Sequence, residues 1–581
     1  MFSIIKFLNG NLFMRLATSI FFCLVFYVAP AQLFQPINYP KGYFRNPLAI
    51  PIDLSGNFGE LRPNHYHMGL DFRTLQRENL PVYAAADGYI ARIKIEPAGF
   101  GRAIYINHPN GYTTLYAHLN KLSPAVEAYV KQQQYLKKSW AIFLDLPPQL
   151  FPVKKGDFIA NSGNTGGSQA PHLHFEIRTT ANDVNVNPLL FGLPLADNST
   201  PVIKRLALYN RTRSTYEQTP QYITLKKAGA VFTTATPVYK TTAPLVSFSV
   251  GAIDSHSGST NPNGIFQGVI KMDNHPVTGF RMDNISYSDT RYMNAHIDYK
   301  TKASGGPFLQ HLSELPGFLN SIYDTRYGNG VLDISDGQPH IISITVYDTE
   351  LNESHINFTI QFQGGAVSTA KPAGNLFYPM MLDGFESSEC EFFIGERCLY
   401  DSVHINYSKA PNGNTMSVSA LHTIGSAAIP LQDFILVRIK PSTTLTANQQ
   451  NKTVMQRYAG AKKLVEKVTW QNGWAAARFR DFGSFQLLVD EQPPVITPVG
   501  FSNGADMSKA SRIVFTVKDN LEKHKDWWAE LDGKWICFTN DKGRSFIYTF
   551  DEHCMPGNHN LMVRVADEAG NITQQSYQFK R

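Results

Sequence analysis

Short stretches in which apolar and polar residues alternate, punctuated by Gly, Pro and Asn-Gly, run through most of this chain. A period of two puts every second side chain on one face of a strand, so the pattern predicts a mainly β protein. In the first third, Val82 to Ala86, Tyr89 to Ile95 and Ala103 to His108 are rich in branched and aromatic residues. Pro109-Asn110-Gly111 predicts a tight turn, with Asn and Gly both at positive φ, and Tyr112 to His118 the returning strand. Asp157 to Ala160 and His172 to Arg178 predict a further pair. One segment departs from the pattern. From Ser123 to Phe143, the apolar residues Val126, Tyr129, Val130, Leu136, Trp140 and Phe143 recur at mostly helical spacing, until Leu146-Pro147-Pro148. A helical insertion over about residues 123–150 is expected, either covering a site, docking a protein regulator or packing as a plain surface excursion.

Beyond residue 195 the pattern repeats. Asp197-Asn198-Ser199-Thr200-Pro201-Val202-Ile203 resembles Asp490-Glu491-Gln492-Pro493-Pro494-Val495-Ile496. His340, Asp348 and Asn352 are spaced as His559, Asp567 and Asn571, and an Asp and an Asn bracketing a short turn fit a hairpin that leads into a last strand. Two β-sandwich modules are expected, over 196–366 and 491–581. Pro201 and Asp348 lie 147 residues apart but Pro494 and Asp567 only 73, so the first module carries an insertion or hides a second domain. Between them, 375–490 reads as another β-rich unit, with its clearest strands over Leu431 to Ile439 and Ala475 to Val489. The fold class expected is mainly β: a small antiparallel unit over 32–195 with a helical insertion, then β-sandwich (immunoglobulin-like) modules.

The 581 residues exceed what one core can serve, and roughly three to five domains are the norm at this length. Arg15, the apolar run Leu16 to Val28 and Ala29-Pro30-Ala31 predict a cleaved export signal over 1–31. Its 13 residues fall short of the ~20 that a membrane span needs, and no later segment supplies them. Without this leader the net charge falls from +6 to +4, too weak to point to nucleic acid. Export to the periplasm or the outer cell surface also permits disulfides among Cys390, Cys398, Cys537 and Cys554, with Cys390–Cys398 one candidate pair.

The chemistry-bearing residues fall in the first third. His67-Met68-Gly69-Leu70-Asp71 and His172-Leu173-His174 lie about a hundred residues apart, with His118 between them. Two His and one carboxylate, with two further His beside them, suit a hydrolytic zinc site that keeps one position open for water. On a strand, His172 and His174 share one face. His65 forms a second His-x-His pair with His67, but only His67 is followed by both Gly69 and Asp71.

The segments Phe58 to Arg62, His67 to Asp71, Pro81 to Gly88, Gly101 to Leu119 and Ser162 to Ile177 resemble, in order and content, the lysostaphin-type (LytM-like) zinc metallopeptidases. Gly163-Asn164-Thr165-Gly166 followed by Pro171 to Glu176 is the most specific part, and the resemblance covers roughly 45–190. It implies one Zn2+ per chain held by His67, Asp71 and His174, with His118 and His172 catalytic at its open position. The implied activity is hydrolysis of the peptide cross-links of peptidoglycan by a zinc-activated water. The alternative is a non-catalytic wall-binding or regulatory protein that uses the same fold as a docking surface.

Overall fold

The computed structural model describes residues 33–36, 38–228, 231–365, 372–411, 413 and 415–581. The expected export signal lies outside the described residues. Among the described residues no helix is long and apolar enough to cross a membrane.

The first unit is built on one ten-stranded antiparallel sheet. Its strands are β1 (Leu54–Gly56), β2 (Leu70–Arg73), β3 (Gly88–Ile95), β4 (Arg102–Asn107), β5 (Tyr112–Ala117), β6 (Ile142–Asp145), β7 (Pro152–Val153), β8 (His172–Thr179), β9 (Asn185–Val186) and β10 (Asn284–Ile285). The order is β1-β2-β8-β5-β4-β3-β7, with β6 also on β3, and β9 joining β8 to β10. Alternation along β8 fixes the two faces. Leu173, Phe175 and Ile177 enter a core with Leu70, Phe72, Ile93, Ile104, Ile106 and Tyr116. Each such side chain contributes about 1.5–3 kcal/mol when buried. The opposite face, carrying His172, His174, Glu176 and Arg178, is left for chemistry.

The β4–β5 hairpin forms over the expected residues, but its turn differs. Gly111 is left-handed (φ 83°) and Asn110 is not. Pro109 fixes a negative φ, which excludes a two-residue turn with two left-handed positions. Gly111 N–H instead donates to His108 O at 3.2 Å, and Asn110 Oδ1 accepts from Tyr112 N–H.

His108 itself is buried, its Nδ1–H donating to Asp87 O and its Nε2 facing Thr114 Oγ1, both at 2.8 Å. Burial pushes it down to about 4. The folded state therefore keeps a neutral ring while the unfolded chain takes up a proton below about 6.5. Stability is full above that pH and falls as the pH drops toward 4, by about 3 kcal/mol from this residue. Denaturant titrations at pH 7 and pH 5 should show His108→Gln losing less stability than wild type; equal losses would discount the residue.

The insertion is only half helical. α1 (Pro124–Lys137) buries Val126 and Val130 and ends at Lys138, in left-handed geometry, where the Ser139 amide bonds Gln134 O. The segment expected to continue the helix becomes β6, where Ile142 and Leu144 are buried and Phe143 is exposed. That is a period of two, and pairing to β3 satisfies its backbone.

In the first module, Val202–Asn210 and Leu245–Ile253 lie in a five-stranded sheet. This sheet faces an eight-stranded one that contains Pro339–Tyr347 and Glu353–Phe362. The extra length is an insertion over 282–335 carrying short helices. That insertion supplies β10 to the sheet of the first unit, and Phe58, Tyr66 and Met68 of the first unit join the module's core. Within 375–490, the stretch expected as one strand splits into Trp474–Asp481 and Gly483–Val489, which belong to two different five-stranded sheets. The last module pairs a three-stranded with a five-stranded sheet. The four described cysteines are free thiols, so Cys390–Cys398 is not a disulfide; Cys398 Sγ faces Phe434 O.

The repeated residues do the same work twice. His340 Nδ1 meets Asp273 Oδ2 on a neighbouring turn and His559 Nδ1 meets Asp532 Oδ2, both at 2.7 Å. Asn352 donates through its amide and its side chain to the Asp348 carboxylate, as Asn571 does to Asp567. The same side chains reach the carbonyls of Asp197 and Asp490.

The C-terminal module returns to the first unit. Lys131 of α1 pairs with Asp551 and Glu552 at 2.8 Å, and Tyr135 stacks on His553 with centroids 3.8 Å apart. Through these contacts α1 is met by the chain's own last module.

Candidate metal centre

The sheet register assembles the site. On β8, His174 lies opposite Asp71 of β2 on one side and Ala117 of β5 on the other. His67 precedes β2, and Gly69 between them lets the chain pass β8 closely. A Cβ at Gly69 would stand 2.4 Å from Phe175 O and 2.8 Å from Glu176 Cγ.

Three ligand atoms converge. His67 Nε2 and Asp71 Oδ1 are 3.0 Å apart, His174 Nδ1 and Asp71 Oδ1 2.8 Å, and the two nitrogens 3.0 Å. All three residues are buried. The far side of each ring fixes its tautomer. His67 Nδ1 lies 2.8 Å from Asn57 O, which only accepts, so this nitrogen carries the proton. His174 Nε2 lies 2.8 Å from Glu176 Oε1 and donates to it. His67 Nε2, His174 Nδ1 and a carboxylate oxygen are thus turned on one point, an arrangement that a bound cation satisfies. Soft-to-borderline nitrogen donors with one carboxylate suit zinc.

The electrostatics separate the two rings. Burial pushes His67 down to about 4, keeping it neutral. Burial opposes charge on His174 too, but the Asp71 and Glu176 carboxylates on its two nitrogens outweigh it and hold it up at about 9. Burial would raise Asp71, yet His67, His172 and His174 keep its carboxyl well below the usual range. Arg62 Nη2 binds the outer oxygen, Asp71 Oδ2, leaving Oδ1 for the cluster.

The other two histidines stand beside this point. His118 is the first residue past β5 and is left-handed, at φ 59°. Its Nδ1–H donates to Thr165 O at 2.8 Å. His172 Nδ1 sits 2.8 Å from Ala170 O and 3.1 Å from Ser168 Oγ, which turns Nε2 toward Asp71 Oδ1, 3.4 Å away. The rings of His118 and His172 lie 4.7 Å apart. Burial, with His172 and His174 nearby, pushes His118 down to about 3, so it is a neutral base at neutral pH.

The structure thus brings together His67, Asp71, His118, His172 and His174. His65, its Nδ1 on Pro63 O, is outside the converging group. Asn64 accepts from Asn294 in the first module rather than facing the metal point.

Residues 65–140 and 151–188, which hold all five, match the model of peptidase family M23. This part of the chain is a peptidase family M23 domain. A Haemophilus influenzae protein named as an uncharacterized metalloprotease is 34% identical over 182 residues, which are 30% of this chain and 32% of that one. The peptidoglycan DD-endopeptidase ShyA of Vibrio cholerae is 30% identical over 29% of this chain and 35% of its own. The chain spans only about a third of the length of these relatives. The lysostaphin catalytic domain from Staphylococcus simulans is similar at 25% identity over 23% of this chain and 87% of its own, with a TM-score of 0.18. Residues 375–490 match the Zu5-like domain.

Several residues of the M23 site escape a reading of motifs. Glu176 was legible as a face-mate of His174 by the period of two, but only the structure shows it fully buried between His174, Arg178 and Asn185. Tyr287 comes from the first module and stands 6.0 Å from the ring of Phe100, which lies against His174. Gly166 N–H donates to Asp541, and Lys542 Nζ to Ser168 O at 2.7 Å, so the last module grips the loop that orients His118 and His172.

Proposed function

We propose that this protein is an exported zinc endopeptidase that hydrolyses the peptide cross-links of peptidoglycan. The convergence of His67 Nε2, Asp71 Oδ1 and His174 Nδ1 on one point carries this reading. The DD-endopeptidase names among relatives support direct stem-to-stem cross-links as the substrate, and the N-terminal apolar run supports export.

Bound zinc would acidify a water and polarise the scissile carbonyl. The residues present supply the rest. Neutral His118, with Nδ1 committed to Thr165 O, offers Nε2 to take a proton from the water and return it to the leaving amine. His172, held through Nδ1 by Ala170 O and Ser168, presents Nε2 beside the same point, where it accepts from and orients the attacking water. Glu176 keeps His174 in the tautomer that presents Nδ1.

Purified protein lacking residues 1–31 should convert cross-linked muropeptides to monomers. Chelation should abolish this, one equivalent of zinc should restore it, and His174→Ala should bind none. Zinc-loaded protein inert on walls of every cross-link type would refute the reading.

A further inference from the structure

The two repeated modules each hold a second kind of cluster, far from the histidines in character. In the first, Asp197, Asp254 and Asp348 bring carboxylate oxygens within 4.8 Å of one another; in the last, Asp490, Asp519 and Asp567 do the same. The three positions are equivalent. One Asp lies in the incoming linker, four residues before Pro201 or Pro494. One directly follows a sheet strand, Leu245–Ile253 or Arg512–Lys518. One closes the hairpin that its Asn partner clamps.

An acidic cluster alone says little, but here buried oxygens are left without partners. Asp254 is 7% exposed and its Oδ1 has no hydrogen bond; Asp490 is 1% exposed and its Oδ2 has none. Asp519 Oδ1 is also unpartnered. Among the described residues no Lys or Arg pairs with any of the six carboxylates. Lys452 and Lys467 approach the second cluster yet bind the carbonyls of Gly570 and Ala569 instead. Three carboxylates that face one another, with bare buried oxygens and no ion pair to a cationic side chain, are suited to a positive charge from outside the chain.

We propose that each cluster is a calcium site. An all-oxygen set of three carboxylates matches a hard cation and offers nothing to zinc's preferred nitrogen or sulfur. The ion ties three separate segments, so it fixes how each module hangs from the chain before it. The first site also adjoins the metallopeptidase unit. Asp254 bridges Asn263, and the next residue, Gly264, exchanges two hydrogen bonds with Asn57, whose carbonyl holds His67.

The test is equilibrium dialysis of radioactive calcium against the full chain without its leader, stripped of metal and reloaded with one zinc. Two calcium ions per chain are expected, with affinities of about 0.1–1 mM, as in structural modules. Asp254→Asn and Asp519→Asn should each remove one ion, whereas His174→Ala should keep both. Calcium should raise the melting temperature of wild type, and less so in each variant. No binding at millimolar calcium, equal competition by magnesium, two ions retained in both Asn variants, or loss in His174→Ala would each overturn the assignment.

Discussion

Replacing His118 with alanine is expected to leave zinc in place and to lower kcat for cross-link cleavage by about 10²–10⁴-fold, the usual weight of a general acid–base residue. The separation of the two effects follows from geometry. His118 is not one of the three residues whose ligand atoms converge, and its ring is anchored from the other side through Thr165 O. Its backbone is fixed independently, with the amide on Phe100 O at 3.0 Å and a left-handed φ that a non-glycine residue adopts only where its surroundings impose it. Loss of the ring therefore leaves the β5 end and the metal point intact. Zinc content and muropeptide release are measured on the same sample. Zinc lost together with activity would make His118 a ligand, and less than a tenfold fall would make it a bystander.

Gly69→Ala should damage the same site through the backbone. The added methyl would overlap Phe175 O at 2.4 Å and crowd His174 Cε1 at 3.1 Å, and neither can swing aside because both belong to β8. β2 must retreat, carrying Asp71 away from His174. Overpacking of this kind costs about 1–3 kcal/mol. Zinc affinity should fall by at least the 10–100-fold typical of disturbed supporting residues. A zinc titration alongside a denaturant curve checks both. Wild-type affinity in Gly69→Ala would mean that the strands are not held at this distance.

The site was largely legible because its information is local. His172 and His174 share a face by the period of two, Gly69 sits between two prospective ligands, and the β4–β5 hairpin is announced by its turn residues. What stayed hidden is contact across long sequence separation. Nothing near Tyr287, Asp541 or Lys542 marks them as neighbours of the histidines, since each is placed by the packing of a separate module. The end of α1 is hidden for a different reason. Over Leu136 to Phe143 a few apolar residues fit either period, and only pairing with β3 decides for a strand from Ile142. The repeated Asp and Asn residues were readable as a hairpin clamp, but not as a convergence of three carboxylates, because Asp254 and Asp519 lie outside the matching motifs.

The grip of Asp541 and Lys542 on the 166–168 loop has a consequence for the order in which the protein is made. Ribosomes deliver the N-terminal part of a chain first, and domains fold largely as they emerge. His67, Asp71 and His174 can meet early, since all three and the strands β2 and β8 lie within the first 179 residues. The loop that steers His118 and His172 must wait for a partner 375 residues further on. Ligands are assembled first and the wall of the groove last, so a chain interrupted before its final module carries the metal point without the finished groove around it.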